Sequence, residues 1–74
     1  MLTGVQLRLL RQARGLMQKE LAGRMNIAQQ RLSILEKSKN SISDTCARKA
    51  LNALKFTKKE AMKFLNNIPS PAGE

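Results

Sequence analysis

The sequence is poor in the side chains from which most catalytic and metal sites are built. It contains no histidine and a single cysteine, Cys46. A cysteine–histidine catalytic pair and the common zinc ligand sets are therefore excluded. Five acidic residues remain, and we assign at least three of them to helix ends. We expect no enzyme, no metal site and no cofactor.

Large aromatic side chains and long apolar runs are also missing. There is no tryptophan or tyrosine, and the two aromatic residues are Phe56 and Phe64. A core of Leu, Ile, Met and Ala suits short packed helices better than a sheet. The sequence contains no run of 18 apolar residues, so no membrane span is predicted. The N-terminus has no signal-peptide pattern. The lone Cys46, on an apolar helical stripe, is expected to be a small core residue in a reducing cytoplasm.

Acidic residues are scarce relative to basic ones. Lys and Arg number 14 against 5 Asp and Glu, a formal net charge of +9. Such an excess indicates a polyanionic partner, either nucleic acid or an anionic membrane surface. A membrane-active helix gathers its cations opposite one long apolar face. Here the cations are spread over several short segments, each with its own apolar stripe, which favours a globular DNA-binding domain.

Apolar spacing and capping signals predict five short helices within one domain. The capping residues that mark the first, fourth and fifth helices are Thr3 with Gln6, Ser43, and Thr57 with Glu60. Gly15 ends the first helix, and the second and third are expected over residues 18–25 and about 29–37. The domain is predicted to span residues 1–65, with residues 66–74 as a flexible tail or the start of a linker.

The stretch from Gln18 to Glu36 predicts two amphipathic helices separated by three residues. Its inward faces carry Leu21, Ala22 and Met25 on the first helix, and Leu32 and Leu35 on the second. Ala22 is small where the second helix would cross closely. Asn26, in the connection, tolerates a left-handed conformation. A tight pair of helices of this kind is a helix-turn-helix.

The same stretch resembles a known family, the Cro/C1-type repressor helix-turn-helix proteins of phages. The matching positions are Gln18, Glu20, Leu21, Ala22, Met25, Ile27, Gln29, Leu32, Ser33, Leu35 and Glu36, with Leu7, Arg8, Leu10, Arg11, Gly15 and Leu16 upstream. The resemblance covers roughly residues 4–65. It implies an all-α, compact five-helix lambda-repressor-like domain, with the helix-turn-helix at helices 2 and 3.

The chain departs from that family at several positions. Met17 and Ala28 stand where the two helices usually carry a capping Ser or Thr. Ser38 replaces the glycine that usually follows the motif. The proline expected just beyond is absent, and Ile42 or Ser43 occupies its place.

Candidate base-reading residues lie on the outward face predicted for the third helix. Glutamine can pair with adenine, arginine with guanine, and an apolar side chain can contact the methyl group of thymine. Gln29, Gln30, Arg31 and Ile34 project outward on this helix. The resemblance places Gln29, Gln30 and Ile34 at base-reading positions, with Ser33 near the same surface. A merely solvated helix face is the alternative.

Candidate phosphate contacts flank that face. The resemblance places Gln18, at the start of the second helix, against a phosphate and often against Gln29 as well. Arg31, Lys37 and Lys39 are further phosphate candidates, although the polar loop that begins at Lys37 could equally be a solvated connector. The other basic residues are expected to be solvated: Arg8, Lys19, Arg24, Arg48, Lys49, Lys55, Lys58, Lys59 and Lys63.

Two further features concern architecture and assembly. The resemblance implies a partly buried ion pair between Arg11 and Glu36, which would fix how the third helix is held. Apolar residues late in the chain exceed what a small core readily absorbs. Phe64, Leu65 and Ile68 are therefore predicted to form the interface of a homodimer.

Taken together, the sequence predicts a sequence-specific regulator of transcription that binds duplex DNA, with repression as the expected direction. It would act as a cytoplasmic, nucleoid-associated homodimer that inserts helix 3 into the major groove. The alternatives are an antitoxin that binds both operator DNA and a toxin protein, an adaptor that uses the fold for protein contacts, and a cationic membrane-surface peptide. The base-reading positions argue against the adaptor, and the several apolar stripes argue against the membrane peptide.

Overall fold

The structure, a computed structural model, describes residues 2–67. Its helices are α1 (Gly4–Ala13), α2 (Gln18–Met25), α3 (Gln29–Glu36), α4 (Asp44–Leu54) and α5 (Lys58–Asn66). Residues 2–67 contain no strand, only an isolated antiparallel bridge between Thr3 and Ser41. The predicted all-α, five-helix lambda-repressor-like architecture is confirmed. The predicted domain limits remain a prediction.

Side-chain caps begin three of the five helices. The Thr3 hydroxyl accepts the backbone N–H of Gln6 at 3.1 Å, and the Gln6 side chain accepts that of Thr3 at 3.0 Å, which completes a capping box at α1. Ser43 caps α4 through the N–H of Cys46 at 3.2 Å. Thr57 caps α5. Each cap satisfies N–H groups that a helix start otherwise leaves unpaired.

The helices α2 and α3 begin differently, at Met17 and Ala28, and neither side chain caps its helix. The Glu20 carboxylate, in the first turn of α2, accepts the backbone N–H of Met17 at 3.1 Å, which is one half of a capping box. The residue before each of these two helices supplies no side-chain hydrogen bond to the N–H groups of the first turn.

The turn between α2 and α3 depends on one left-handed residue. Asn26 has φ 58°, a conformation that asparagine adopts more readily than most residues. The chain then reverses, and the N–H of Ile27 donates to the carbonyl of Ala22 at 3.0 Å. Gly15, with φ 68°, similarly ends α1 before the chain enters α2.

The core is aliphatic and lies around α1, which packs against α3, α4 and α5, while α2 packs against α3 and α4. Its fully buried large side chains are Leu7, Leu10, Leu21, Leu32 and Leu54. Because α3 contributes only its inner face to this core, its opposite face is free to meet a ligand.

Late apolar residues contribute more to this core than the sequence suggested. Phe56, Phe64 and Leu65 are half-buried and pack against the core, as does Cys46. The expected apolar surplus on α5 is therefore smaller than predicted, and Met62, 47% exposed, is its main exposed member. Ile68 lies outside the described residues.

The start of α1 lies directly against the end of α3. Gly4 is buried, and a Cβ atom there would overlap the carbonyl group of Leu35. The N–H of Val5 donates to the Ser38 carbonyl at 3.2 Å, and that of Ile42 donates to the Leu2 carbonyl at 2.8 Å. These contacts tie the loop that follows α3 to the N-terminal segment.

Candidate nucleic-acid interface

The outward face of α3 is polar with one apolar side chain. Gln29, Gln30 and Arg31 are exposed, and Ile34 is 71% exposed. Leu32 on the opposite side is fully buried. The structure therefore places three of the four predicted base-reading residues on one accessible surface, with Ser33 half-buried at its edge. Hydrogen-bonding amides beside an exposed methyl-bearing side chain suit the edges of bases in a major groove.

A buried ion pair holds the C-terminal end of α3. The Nε atom of Arg11 lies 2.7 Å from Oε2 of Glu36, and its Nη2 donates to Oε1 at 3.0 Å. Glu36 is 2% exposed. A third N–H of Arg11 donates to the carbonyl of Leu16 at 2.7 Å. The pair therefore connects α1, the turn before α2 and the end of α3.

Gln18 joins the same cluster. Its Nε2 donates to Oε1 of Glu36 at 2.9 Å. The resemblance implies a contact with Gln29 instead, but the side-chain hydrogen bond of Gln18 in this structure is made to the Glu36 carboxylate. One N–H and the carbonyl oxygen of the amide remain for other partners. The Gln18 amide is thus positioned at the start of α2 by the pair that also holds α3.

A polar cleft of about 280 Å³ opens beside this cluster, between α1, the start of α2 and the end of α3. Its lining residues are Arg8, Arg11, Gln12, Gln18, Ser33, Glu36 and Lys37. Two phosphate candidates, Gln18 and Lys37, therefore share one cleft. Arg31 lies on the exposed surface of α3, and Lys39 is exposed in the loop that follows.

Two residues of this cleft were not predicted from the sequence. Arg8 was assigned to a solvated face, and Gln12 was not singled out. Their spacing could have predicted this position. Arg11 and Gln12 follow Arg8 by three and four residues, and residues so spaced are neighbours on one surface of a helix.

The acidic residues leave this surface positively charged. Among residues 2–67, Arg11–Glu36 is the one ion pair. Glu20 and Glu60 instead accept backbone N–H groups at the starts of α2 and α5. The pKa of Glu60 is lowered mainly by its hydrogen bond to the backbone of Thr57, then by the Thr57 side chain, with Arg14 as a smaller cause. Most basic side chains therefore have no anionic partner within the described chain.

Metal and membrane features are not found in the described part of the chain. Residues 2–67 contain no group of three or more His, Cys, Asp or Glu side chains that could hold a metal ion. None of the helices has the length and apolar character needed to cross a bilayer.

Comparison with known protein families gives a match over most of the chain. The model of a protein family described as a helix-turn-helix domain matches residues 3–62. This region includes α1 to α4 and the first part of α5. No curated protein and no solved structure matches the chain significantly.

Proposed function

Because the chain belongs to the helix-turn-helix domain family, we propose that it is a sequence-specific regulator of transcription that binds duplex DNA and acts as a repressor. Helix α3 enters the major groove, and α2 lies across the sugar–phosphate backbone. Gln29, Gln30 and Ile34 contact base edges, with Ser33 at the margin of the same surface.

The accessible face of α3 carries this proposal. Gln29 and Gln30 are exposed side by side at its start, and Ile34, 71% exposed, lies about one turn further along. An isoleucine this exposed gains nothing from the core, whereas contact with a thymine methyl group would remove apolar surface from water. The buried Arg11–Glu36 pair holds the helix that presents these groups.

Phosphate contacts would come from the polar cleft and from the uncapped helix starts. Gln18, Lys37, Arg31 and Lys39 surround the base-reading face, and Arg8 adds a cation from α1. The first-turn N–H groups of α2 and α3, which have no side-chain cap, suit phosphate oxygens. Such contacts fix register on the duplex without reading its sequence.

A homodimer would give the selectivity that one short helix lacks. Two copies related by a two-fold axis would place their α3 helices about 34 Å apart, one turn of the duplex. Phe64 and Leu65, with Ile68 beyond the described residues, remain our candidates for the interface. Met62 adds exposed apolar surface beside Leu65, whereas Lys58 would oppose close approach unless it points outward.

The alternatives of an antitoxin and a protein adaptor both require a protein-binding surface, which in the antitoxin lies beside a DNA-binding one. Their expected signature is a broad exposed apolar patch. The large exposed hydrophobic residues in the described chain are Val5, Met17, Ile34 and Met62. Because Ile34 stands among glutamines and an arginine on α3, its surroundings favour DNA.

Selection of bound duplexes from a random library tests the proposal, followed by measurement of affinity against salt concentration. We expect a defined, two-fold symmetric site. For a dimer with about six to ten phosphate contacts, the slope of log affinity against log salt should be about −5 to −9. Failure to enrich any sequence, or a slope shallower than about −2, would contradict it.

A further inference from the structure

A second cationic cleft lies away from the recognition helix. It has a volume of about 200 Å³ and is lined by Arg14, Leu16, Arg24, Leu54 and Lys55. Three of these five residues are cations, none is acidic, and α3 contributes none of them. The cations come from the C-terminal ends of α1, α2 and α4.

Arg14 is held rigidly at this cleft. Its guanidinium carbon lies 3.9 Å from the centre of the Phe56 ring. Its Nε donates to the Leu54 carbonyl at 2.9 Å and its Nη2 to the Lys55 carbonyl at 3.1 Å. A guanidinium has five N–H donors, so three remain for another acceptor.

Arg24 reaches the same helix end from α2. Its Nη1 donates to the carbonyl of Ala53 at 3.2 Å. The two arginines therefore donate to three consecutive carbonyls, 53 to 55, and both line the cleft. Like charges that share one cleft repel each other, and an anion between them would relieve that repulsion.

Lys55 occupies a position that disfavours its side chain. With φ 59° it ends α4 in the left-handed conformation, where glycine is the usual residue. A lysine is accepted here at a local conformational cost, and it lines the cleft together with the two arginines. Residues that break a local structural rule are often functional.

Helix dipoles explain part of this charge but not all of it. Each helix C-terminus carries roughly half a negative charge, so the ends of three helices together offset about half of the positive charge of three cations. The pKa of Glu60 is lowered mainly by its hydrogen bonds to Thr57 and only to a smaller extent by the charge of Arg14. Its carboxylate accepts the N–H of Thr57, and Glu60 does not line the cleft. A net positive cleft remains, with the apolar side chains of Leu16 and Leu54 among its walls.

We propose that this cleft, formed by Arg14, Arg24 and Lys55, binds a phosphate-type oxyanion. A guanidinium group can donate two parallel hydrogen bonds to two oxygens of one phosphate. Because the orientation of Arg14 is already fixed, less side-chain entropy is lost on binding. The phosphate could belong to a small free anion or to a DNA backbone. In either case the site is distinct from the face of α3.

Calorimetric titration of the full chain with inorganic pyrophosphate, at constant ionic strength and without DNA, tests this site. We expect saturable binding that Arg24→Gln and Lys55→Gly each weaken about tenfold, the effect of losing one charge-assisted contact. Lys63→Gln, an equal loss of charge at an exposed position on α5, is the matched control and should change affinity less than about twofold.

Lys55→Gly separates binding from folding. Glycine suits the left-handed position, so this variant should melt no lower than the parent chain while losing pyrophosphate affinity. Unsaturable binding, or equal weakening by all three substitutions, would mean that only the overall charge attracts the anion, and would overturn the proposal. So would unchanged affinity in Lys55→Gly.

Binding of random duplex then identifies the source of the phosphate. If the oxyanion is a DNA phosphate, Arg24→Gln should flatten the salt slope by about one. If it is a free anion, the slope should stay unchanged while pyrophosphate affinity falls. Pyrophosphate binding is measured without DNA, so its failure leaves the function proposed for α3 untouched.

Discussion

The helix-turn-helix unit, α2 and α3, differs from the three supporting helices in how its helices begin. Thr3, Ser43 and Thr57 cap α1, α4 and α5, whereas Met17 and Ala28 leave α2 and α3 without side-chain caps. A missing cap costs about 1 kcal/mol, so each uncapped start is a local loss of stability. The side chains of Thr3, Ser43 and Thr57 thus accept N–H groups at the starts of the supporting helices α1, α4 and α5. At the starts of α2 and α3, which are proposed to meet phosphate, these first-turn N–H groups stay available.

The contrast extends to side chains. The apolar residues of the supporting helices mostly pack against the core, and even Phe64 and Leu65 are half-buried. The exposed face of α3 instead presents Gln29, Gln30 and Ile34. The outward face of α3 is therefore proposed for recognition, whereas its inward Leu32 belongs to the core. Substitutions on the outward face and in the core should have separable effects.

The largest expected effect is on the connection between the two regions. Arg11→Ala would leave Glu36, 2% exposed, without its cationic partner, and should lower the free energy of unfolding by about 3–5 kcal/mol. Urea denaturation measures it. Arg8→Ala, on the same helix but exposed, is the control and should change stability by less than about 0.5 kcal/mol.

A double-mutant cycle with Glu36→Ala isolates the pair from other consequences of either substitution. Coupling between the two substitutions is expected because both partners are in direct contact. Additive effects would show that the ion pair does not hold α3 to the support.

The next effect concerns the close approach of α1 to α3. Gly4→Ala should destabilise the fold by about 1–3 kcal/mol, because the added methyl group overlaps the backbone carbonyl of Leu35. Gly23→Ala is the matched control, since no atom lies within 4 Å of its added Cβ and alanine favours a helix. It should stabilise by about 0.5–1 kcal/mol. Equal thermal shifts for the two variants would contradict the packing described here.

Substitutions on α3 should spare stability and affect recognition. Gln29→Ala or Gln30→Ala should weaken binding to the selected duplex by about 1–3 kcal/mol and leave random-duplex binding nearly unchanged. Fluorescence anisotropy on both duplexes measures this. Lys39→Ala is the comparison, because a phosphate contact should weaken both duplexes alike. Equal losses with either glutamine variant would exclude base reading.

The smallest effects test the caps themselves. Thr57→Ala should cost about 1 kcal/mol, whereas Ala28→Ser should add a similar amount by supplying the missing cap to α3. If the uncapped start of α3 serves DNA, Ala28→Ser should also weaken duplex binding while it raises the melting temperature. A more stable variant with unchanged DNA affinity would show that the missing cap has no role in binding.

Local signals predicted the helices well because capping and turn chemistry act over three or four residues. The Thr3–Gln6 and Thr57–Glu60 boxes, and the left-handed Asn26, are set by nearby atoms. The association of Arg11 with Glu36 spans 25 residues, and only the family resemblance indicated it.

Features that depend on how helices meet were missed. The bond from Gln18 to Glu36 and the convergence of Arg14 and Arg24 on the end of α4 depend on helix packing, which no local pattern encodes. The same reason explains the overestimated apolar surplus. Leu65 looks unpartnered along the sequence but packs against the core once α5 folds back.

The division between a supporting region and a DNA-binding region is tested most directly by titrating the ¹⁵N-labelled protein with its selected duplex and following backbone amide shifts. We predict that the largest changes occur in the uncapped first turns, at Gln18 and Lys19 of α2 and at Gln29 and Gln30 of α3. The capped first turns of α4 and α5 should move little. Changes concentrated on α4 and α5, with the first turns of α2 and α3 unmoved, would contradict the account.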